Sequence, residues 1–461
     1  MSAVENNGSD GLLPADRSVS ELLLSLREGM LTARSAAEMA FERIRTCNGK
    51  INAFSTLSKT ALDEADASDA RLRSGRQRPL EGLPIAVKDM IDTRGMETGY
   101  GSAAYLGHVP SRDAAVVERL RREGAVVVGK TTTHEFAWGV TTESAALGDT
   151  LNPFDGSRTP GGSSGGAAAA IAAGAVRVGL GTDTGGSVRI PASLCGTVGY
   201  KPSYGAVPVE GVFPLSPSLD HVGILGVTVE DVSIIAEACG IDLSGLLADA
   251  SPSFASAHED AAVPAERAVA LAFQAALDKV SSRYELLPAR GGVVTSEAYE
   301  IFASTVRFEA SAVHLMRHGM DFLRRYCSKE TADRVAAAEG LTLSSYAAVQ
   351  ERRRKFNARL FGLFQEAEFL LLPTTPCIAP KRGTASVSIE WWDGSVREAL
   401  MAYTCAFNLS GCPAVSIPMP HPALSMPVGL QIVGRPGSDG GLLRVAAALE
   451  RLLCQARTSD Y

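Results

Sequence analysis

The sequence predicts an α/β protein: a single large α/β/α domain in which helices cover a central mixed, largely parallel twisted sheet. Short runs of branched residues alternate with helical periodicity, as in "LPIAVKDMID" and "AVVVGKT", which flank the helical "DAAVVERLRREG". The chain has 461 residues, of which 45 are glycine and only 6% are aromatic, and this composition favours close packing of helices on a sheet. No linker is long enough to divide the chain. We therefore expect one domain over residues 18–461, behind a loose segment at 1–17.

The first half of the chain carries clear helix and strand signals. Ser18 and Glu21 have the spacing of a capping box and predict the start of the first helix. Residues 32–47 and 59–76 predict two more helices. After the glycine-rich "RTPGGSSGG", the run "GGAAAAIAAG" predicts a buried helix, because alanine is the best helix former and packs closely. The following "VRVGLGTDTGGSVRIPAS" predicts a strand, a glycine turn and a further helix start.

The second half is predicted to be mainly helical before it returns to the sheet. Residues 228–370 are expected to form helices that shape the substrate pocket. Residues 366–379 and 412–434 predict strands, and 438–456 predicts a closing helix.

Composition and charge exclude several classes of protein. With 46% hydrophobic residues the chain is not disordered, and a net charge of −7 without a basic block does not suggest a nucleic-acid partner. No window approaches ~18 consecutive apolar residues, so no membrane span is expected. The N-terminal residues lack a signal-peptide pattern, and the eight cysteines show no CxxC spacing. We expect a cytoplasmic protein with reduced thiols, and a homodimer stays open.

Residues 124–131, "GAVVVGKT", match the phosphate-loop pattern GxxxxGK[ST]. A phosphate loop lies between a strand and a helix, but here the preceding residues are helical. The three valines are stiff and favour extended backbone. A strand is therefore the better interpretation, and binding of ATP is the test for a nucleotide-binding protein.

Residues 161–165, "GGSSG", match the GxSxG pattern of serine hydrolases. That chemistry needs an acid and a histidine downstream. The chain has seven histidines; His314 and His318 share one helix face, and His421 lies in a proline-rich turn. A histidine-based triad thus stays open without support from the sequence.

A third constellation joins distant pieces: Lys88 at a predicted strand end, Ser163 and Ser164 before a helix, and Ser187 after two glycines. Together they offer a nucleophile, a base and an oxyanion site for acyl transfer. A lysine can act as the base only when neutral. Half-neutrality at pH 7 needs a shift of about 3.4 units from ~10.4, or roughly 4.6 kcal/mol, and burial alone can supply ~3–5 units. The adjacent Asp89 should point to the opposite side of an extended chain.

The run "GGSSGGAAAAIAAGAVRVGLGTDTGGSVRIPA" at 161–192 resembles the signature of the amidase signature family, position for position. The separations of 99 residues from Lys88 to Ser187 and of 24 from Ser163 to Ser187 also fit that family. Further similar segments are "EFAWGVTTES", "LNPFD", "SLCGTVGYKPSYG", "LSPSLDHVG", "FNLSGCPAVSIP" and "PVGLQIVGR". The resemblance covers most of the chain from about residue 18.

The resemblance implies the amidase signature fold and a Ser–cisSer–Lys triad that forms an acyl-enzyme. Ser187 would be the nucleophile, Ser163 the proton relay behind a cis peptide bond from Gly162, and Lys88 the base. The backbone N–H groups of four residues would form the oxyanion hole: Thr184, Gly185, Gly186 and Ser187. No metal or organic cofactor is implied.

Other polar residues near the signature are expected to have structural roles. Ser164 is interpreted as structural, and Asp183 and Arg189 are expected to hold the loop together by hydrogen bonds. Cys195 is expected to be a small buried residue.

The expected substrate is a small-molecule carboxylic amide, small or aryl, with an aryl ester or carbamate as further substrates. Five residues are tentative substrate contacts: Tyr100, Phe136, Trp138, Gly139 and Thr141. If the aromatics line a pocket, a p-nitroanilide should be a better substrate than malonamate; the alternative is that they belong to the core.

The alternative function is that of an amidotransferase-like subunit which works in a complex. The arginine-containing glutaminase motif of that subunit is not apparent in 341–360.

Overall fold

The structure, a computed structural model, describes residues 17–144, 146–244, 252–258, 261–288 and 292–454. The segment predicted to be loose, 1–17, lies outside these ranges apart from Arg17, and that expectation stays a prediction. The described residues form thirteen strands: β1 (Phe54–Leu57), β2 (Pro84–Lys88), β3 (Val126–Thr131), β4 (Val178–Asp183), β5 (Val198–Lys201), β6 (His221–Gly226), β7 (Ser253–Ser256), β8 (Glu285–Leu287), β9 (Phe369–Pro373), β10 (Ser386–Ile389), β11 (Trp392–Ser395), β12 (Ala414–Pro418) and β13 (Gly429–Val433).

Fifteen α-helices lie in the same ranges. They are α1 (Val19–Arg27), α2 (Ala33–Ile51), α3 (Ala61–Arg73), α4 (Ala115–Arg122), α5 (Gly165–Ala172), α6 (Arg189–Cys195), α7 (Val229–Ala238), α8 (Arg267–Ser281), α9 (Ser296–Arg317), α10 (Met320–Tyr326), α11 (Lys329–Ala336), α12 (Leu343–Leu363), α13 (Val396–Met401), α14 (Ala406–Leu409) and α15 (Asp439–Cys454). No helix in the described part of the chain is both long and apolar enough to span a bilayer.

Eleven strands form one sheet in the order β1-β3-β2-β4-β6-β5-β12-β13-β9-β7-β8, and β10 pairs with β11 as a separate hairpin. The prediction of a mixed sheet covered by helices is confirmed. The prediction that the sheet is largely parallel is wrong. Among the described strands only β2–β3, β2–β4, β7–β8 and β7–β9 pair in parallel, and the other six pairings of the sheet are antiparallel. The reason is that β6 inserts between β4 and β5, and that β12 and β13 are joined without a crossover helix.

Local capping explains where the first helices begin. Ser18 accepts a hydrogen bond from the Glu21 amide, and Glu21 accepts one from the Ser18 amide, so the predicted capping box is confirmed. Thr32 caps α2, which ends at Asn52 in the left-handed conformation. The strand predicted within "LPIAVKDMID" is β2, and its five residues are all buried.

The alanine-rich helix α5 lies in the interior, as predicted. Ala167, Ala168, Ala169 and Ala170 are all buried and pack in one cluster with residues of β2 and β3. Gly166 must be glycine because a Cβ there would lie 2.6 Å from the backbone nitrogen and oxygen of Thr132. This close contact fixes the start of α5, and with it the serine loop that precedes it.

Candidate active site

Lys88 and Ser163 form a buried hydrogen bond at the carboxyl end of β2, the third strand in the order of the sheet. Lys88 is the last residue of β2, and Ser163 lies in the loop that leads into α5. Lys88 Nζ is 2.8 Å from Ser163 Oγ, and both residues are fully buried. The Gly162–Ser163 peptide bond is cis. The parallel strand β2 thus delivers the lysine to the serine loop.

Burial lowers the pKa of Lys88 to about 7, and the negative charges of Asp183 and Asp220 limit this decrease. Within the described residues no carboxylate forms a salt bridge with Lys88. The Asp89 carboxylate interacts elsewhere: its Oδ2 accepts from the Gly99 amide, and its charge acts on Lys130. The requirement derived from the sequence, a desolvated lysine without an ion-pair partner, is met.

Thr182 is a second partner of the lysine that sequence reasoning missed. Its Oγ1 accepts a hydrogen bond from Lys88 Nζ at 2.7 Å. Thr182 lies in β4, and β4 pairs in parallel with β2, so the two side chains meet across neighbouring strands. The contact depends on which strands are neighbours, which the local sequence does not encode.

Backbone contacts hold Ser187 against the serine loop. The Ser164 amide donates to the Ser187 carbonyl at 3.0 Å. The side chain of Ser164 donates to the Thr182 carbonyl at 3.2 Å and accepts from the Thr182 amide at 3.3 Å. Ser164 therefore ties together the two loops and β4, which is the structural role expected for it.

Asp183 and Arg189 form a fully buried ion pair beneath the glycine turn. The two side chains make two hydrogen bonds, of 3.0 and 2.9 Å. Asp183 also accepts from the amides of Gly186 and Val188. Burial acts to raise the pKa of Asp183, but the charge of the Arg189 guanidinium and its hydrogen bonds hold that pKa well below its usual range. The expectation that this pair holds the loop together is confirmed.

The predicted oxyanion-hole residues lie on this same turn. The Gly186 amide is already hydrogen-bonded to Asp183 Oδ1 at 2.9 Å, so it is not free to bind an oxyanion. The side chain of Thr184 is fixed by a hydrogen bond, in which its hydroxyl donates to Asp220 Oδ1 at 2.6 Å. Asp220 in turn accepts from the amides of Leu215 and Ser216. An oxyanion hole here depends on the amides of Thr184, Gly185 and Ser187.

The sequence model of the Amidase family matches residues 35–256 and 285–443. The chain belongs to the amidase signature family. It is 34% identical to the A subunit of the glutamyl-tRNA(Gln) amidotransferase of Exiguobacterium sp., over 95% of this chain and 97% of that protein. It is also 34% identical to the AtzE subunit of the 1-carboxybiuret hydrolase of Pseudomonas sp. strain ADP, over 93% and 97%. A crystal structure of an amidase superposes with a TM-score of 0.87 at 36% identity, covering 95% of this chain and 100% of that one.

The residues that match the phosphate-loop pattern, 124–131, contain a strand. Val126–Thr131 is the buried strand β3, and Lys130 Nζ donates to Thr93 and Thr98 inside the protein. Residues 124–131 therefore do not form a phosphate loop. Cys195 is buried, its thiol donates to the Pro160 carbonyl, and burial raises its pKa, as expected of a structural thiol.

The aromatic residues proposed as substrate contacts are buried in the core. Tyr100 donates its hydroxyl to Asp92 Oδ1 at 2.7 Å and packs on Phe213. Phe136 is fully buried against Phe213, and Trp138 stacks on His314. Core packing accounts for all three side chains, and a role in substrate binding stays a prediction.

Gly139 and Thr141 make packing contacts with the protein framework. A Cβ at Gly139 would overlap the imidazole of His134, so a larger residue there would force the ring to move. The Thr141 carbonyl accepts from Thr159 Oγ1 at 2.6 Å, and its amide lies 2.9 Å from where a Gly162 Cβ would be. Thr141 thus packs directly against the loop that carries Ser163.

Proposed function

We propose that this protein is an amidase that hydrolyses a small or aryl carboxylic amide, with Ser187 as nucleophile, Ser163 as proton relay and Lys88 as base. The observation that carries the proposal is the buried Lys88–Ser163 hydrogen bond of 2.8 Å, at a lysine whose pKa is lowered to about 7. A lysine with this pKa is half neutral near pH 7, which is what a general base needs.

In acylation, neutral Lys88 takes the proton of Ser163 while Ser163 takes the proton of Ser187. The Ser187 oxygen then forms a bond to the carbonyl carbon, and the carbonyl electron pair moves to oxygen. Amides of Thr184, Gly185 and Ser187 are the donors available to this oxyanion. Asp220 supports the turn through its hydrogen bond to Thr184.

The intermediate collapses when the C–N bond breaks. The amine nitrogen receives the proton held by Lys88 through Ser163 and leaves, so Lys88 is neutral again. Water then attacks the acyl-enzyme and gives its proton to the same relay, and Ser187 recovers its proton as the acid is released. With an aryl ester or an aryl carbamate the C–O bond breaks instead, and the leaving phenol oxygen receives the proton held by Lys88 through Ser163.

Three substitutions test the proposal on a chromogenic anilide. Ser187→Ala should abolish turnover, and Ser163→Ala and Lys88→Ala should each lower kcat/KM by at least about a hundredfold, the usual contribution of acid–base catalysis. Cys195→Ser is the matched control, since the thiol donates to the Pro160 carbonyl and a serine hydroxyl can donate to the same acceptor, and it should leave kcat/KM within about threefold. Full activity of Lys88→Ala would overturn the assignment.

The alternative, an amidotransferase-like subunit, is favoured by the two relatives that are named as subunits. The purified single chain separates the two functions. Amide hydrolysis by the chain alone supports the amidase, and hydrolysis that requires an added partner supports the subunit.

A further inference from the structure

Two arginines from different helices meet at one carbonyl oxygen. Arg334 of α11 and Arg397 of α13 both donate to the Trp138 carbonyl, the latter at 2.9 Å. Within the described residues, Arg334 has one ion-pair partner, Glu330, and Arg397 has none. Glu330 is also shared with His134. The cluster of two arginines therefore holds more positive than negative charge.

Arg397 lies one helical turn away from a side chain that packs against the glycine turn at Gly185. Arg397 precedes Met401 by four residues in α13, about one helical turn or ~6 Å along the axis. The sulfur of Met401 lies 3.1 Å from where a Cβ of Gly185 would be, and Phe302 contacts the same point. On α9, Tyr299 precedes Phe302 by three residues, and its side chain is hydrogen-bonded to Arg397. Both helices thus carry polar groups one turn away from the side chains that cover Gly185.

Both guanidinium groups keep unused donors. A guanidinium has five N–H groups in a fixed fork, whereas the Trp138 carbonyl takes one from each arginine. Arg397 is half-buried, and burial, with the nearby charge of Arg334, lowers its pKa to about 10. Tyr299 and Glu330 are the other titratable groups that act on Arg397. An anion between the two arginines would relieve their mutual repulsion, and carboxylates match the guanidinium fork in geometry.

We propose that Arg334 and Arg397 bind a carboxylate of the substrate, so that the enzyme hydrolyses amides carrying a carboxylate close to the scissile bond. This inference rests on the proposed amidase function and narrows its substrate class. It also reverses the order of substrates expected from the sequence, in which a p-nitroanilide is a better substrate than malonamate. In this proposal the enzyme recognises the carboxylate charge, and it only tolerates an aromatic leaving group.

Two matched pairs of anilides test the proposal on the full chain. Succinyl mono-p-nitroanilide and butyryl p-nitroanilide differ by a carboxylate on the acyl side. The pair 4-acetamidobenzoate and 4-acetamidotoluene differs by one on the amine side. For at least one pair we expect kcat/KM to be about tenfold to a hundredfold higher for the carboxylate member, as for a hydrogen bond between charged groups.

The variants then assign this preference to the arginine pair. Arg397→Met should remove most of the preference, because kcat/KM of the carboxylate member should fall about tenfold or more relative to that of the neutral member. Arg397→Lys keeps the positive charge but not the forked guanidinium donors, so it should retain an intermediate preference for the carboxylate member. This variant also keeps the proposal testable if Arg397→Met does not fold. Arg354→Met, at an exposed position of α12, is the control and should change neither rate.

The outcomes separate the two proposals. No hydrolysis of any of the four compounds by the wild-type chain counts against the amidase function itself. Hydrolysis without a carboxylate preference in either pair overturns the anion site and leaves the amidase function standing. A preference that Arg397→Met and Arg397→Lys both leave unchanged also overturns it.

Discussion

Replacing Thr182 by valine should lower the pH at which the enzyme gains activity. Thr182 Oγ1 accepts a hydrogen bond from Lys88 Nζ at 2.7 Å. A hydrogen bond of this kind stabilises a charged donor by about 1.5–3 kcal/mol and a neutral donor by about 1 kcal/mol. The ammonium form therefore loses ~0.5–2 kcal/mol more than the amine, and the pKa of Lys88 falls by about one unit at ~1.36 kcal/mol per unit.

The sign of the pH dependence follows from the proposal that neutral Lys88 is the base. With a pKa of about 7, its neutral fraction rises from about 9% at pH 6 to about 91% at pH 8, so kcat/KM should rise over this range. In Thr182→Val the midpoint should move to about pH 6, with a lower plateau because the amine is held less well. Thr182→Ser keeps the hydroxyl and should retain the wild-type midpoint.

The assay is kcat/KM for a p-nitroanilide between pH 5 and 9, under conditions in which chemistry is rate-limiting. A flat wild-type profile would refute a titrating lysine. An unchanged midpoint in folded Thr182→Val would refute the hydrogen bond as a determinant of the pKa of Lys88.

Two further predictions concern Asp220 and Gly139. Asp220→Asn places an amide where the Leu215 and Ser216 amides and the Thr184 hydroxyl all need acceptors, so kcat should fall about tenfold. Thr184→Val should show a similar loss of kcat in the same assay. An unchanged kcat in folded Asp220→Asn would contradict the idea that Asp220 holds Thr184 in place. Gly139→Ala forces a methyl group onto the His134 ring and should cost about 1–3 kcal/mol in urea unfolding. Gly362→Ala on α12 is its control, because a Cβ there meets nothing within 4 Å and should gain about 0.5–1 kcal/mol; equal stabilities of the two variants would contradict the packing argument.

The sequence predicted local features well where they depend on neighbouring residues. The capping box at Ser18, the strand ending at Lys88 and the alanine helix after Ser163 all follow from short-range chemistry, and all are found. The long signature run predicted the family, and with it the hypothesis that Ser187 is the nucleophile. None of these predictions required knowledge of which strands are neighbours.

The features that were missed depend on long-range packing. The insertion of β6 between β4 and β5 makes most pairings antiparallel, and no local pattern in either strand specifies it. Thr182 reaches Lys88 only because β2 and β4 are adjacent. Arg334 and Arg397 come from separate helices and meet only at the Trp138 carbonyl, so the region 228–370 alone could not have revealed the pair.

The relay and the arginine pair occupy different parts of the chain. Lys88, Ser163, Thr182 and Ser187 come from strands and loops within residues 84–187, whereas Arg334, Arg397, Tyr299 and Glu330 come from helices within 296–401, and the Trp138 carbonyl is the contact between the two parts. Under the two proposals, substitutions at Arg334 and Arg397 alter which acid or amine is accepted without replacing any group of the proposed relay. This division would let related proteins accept different amides through a few substitutions in these helices while they keep the same reaction chemistry.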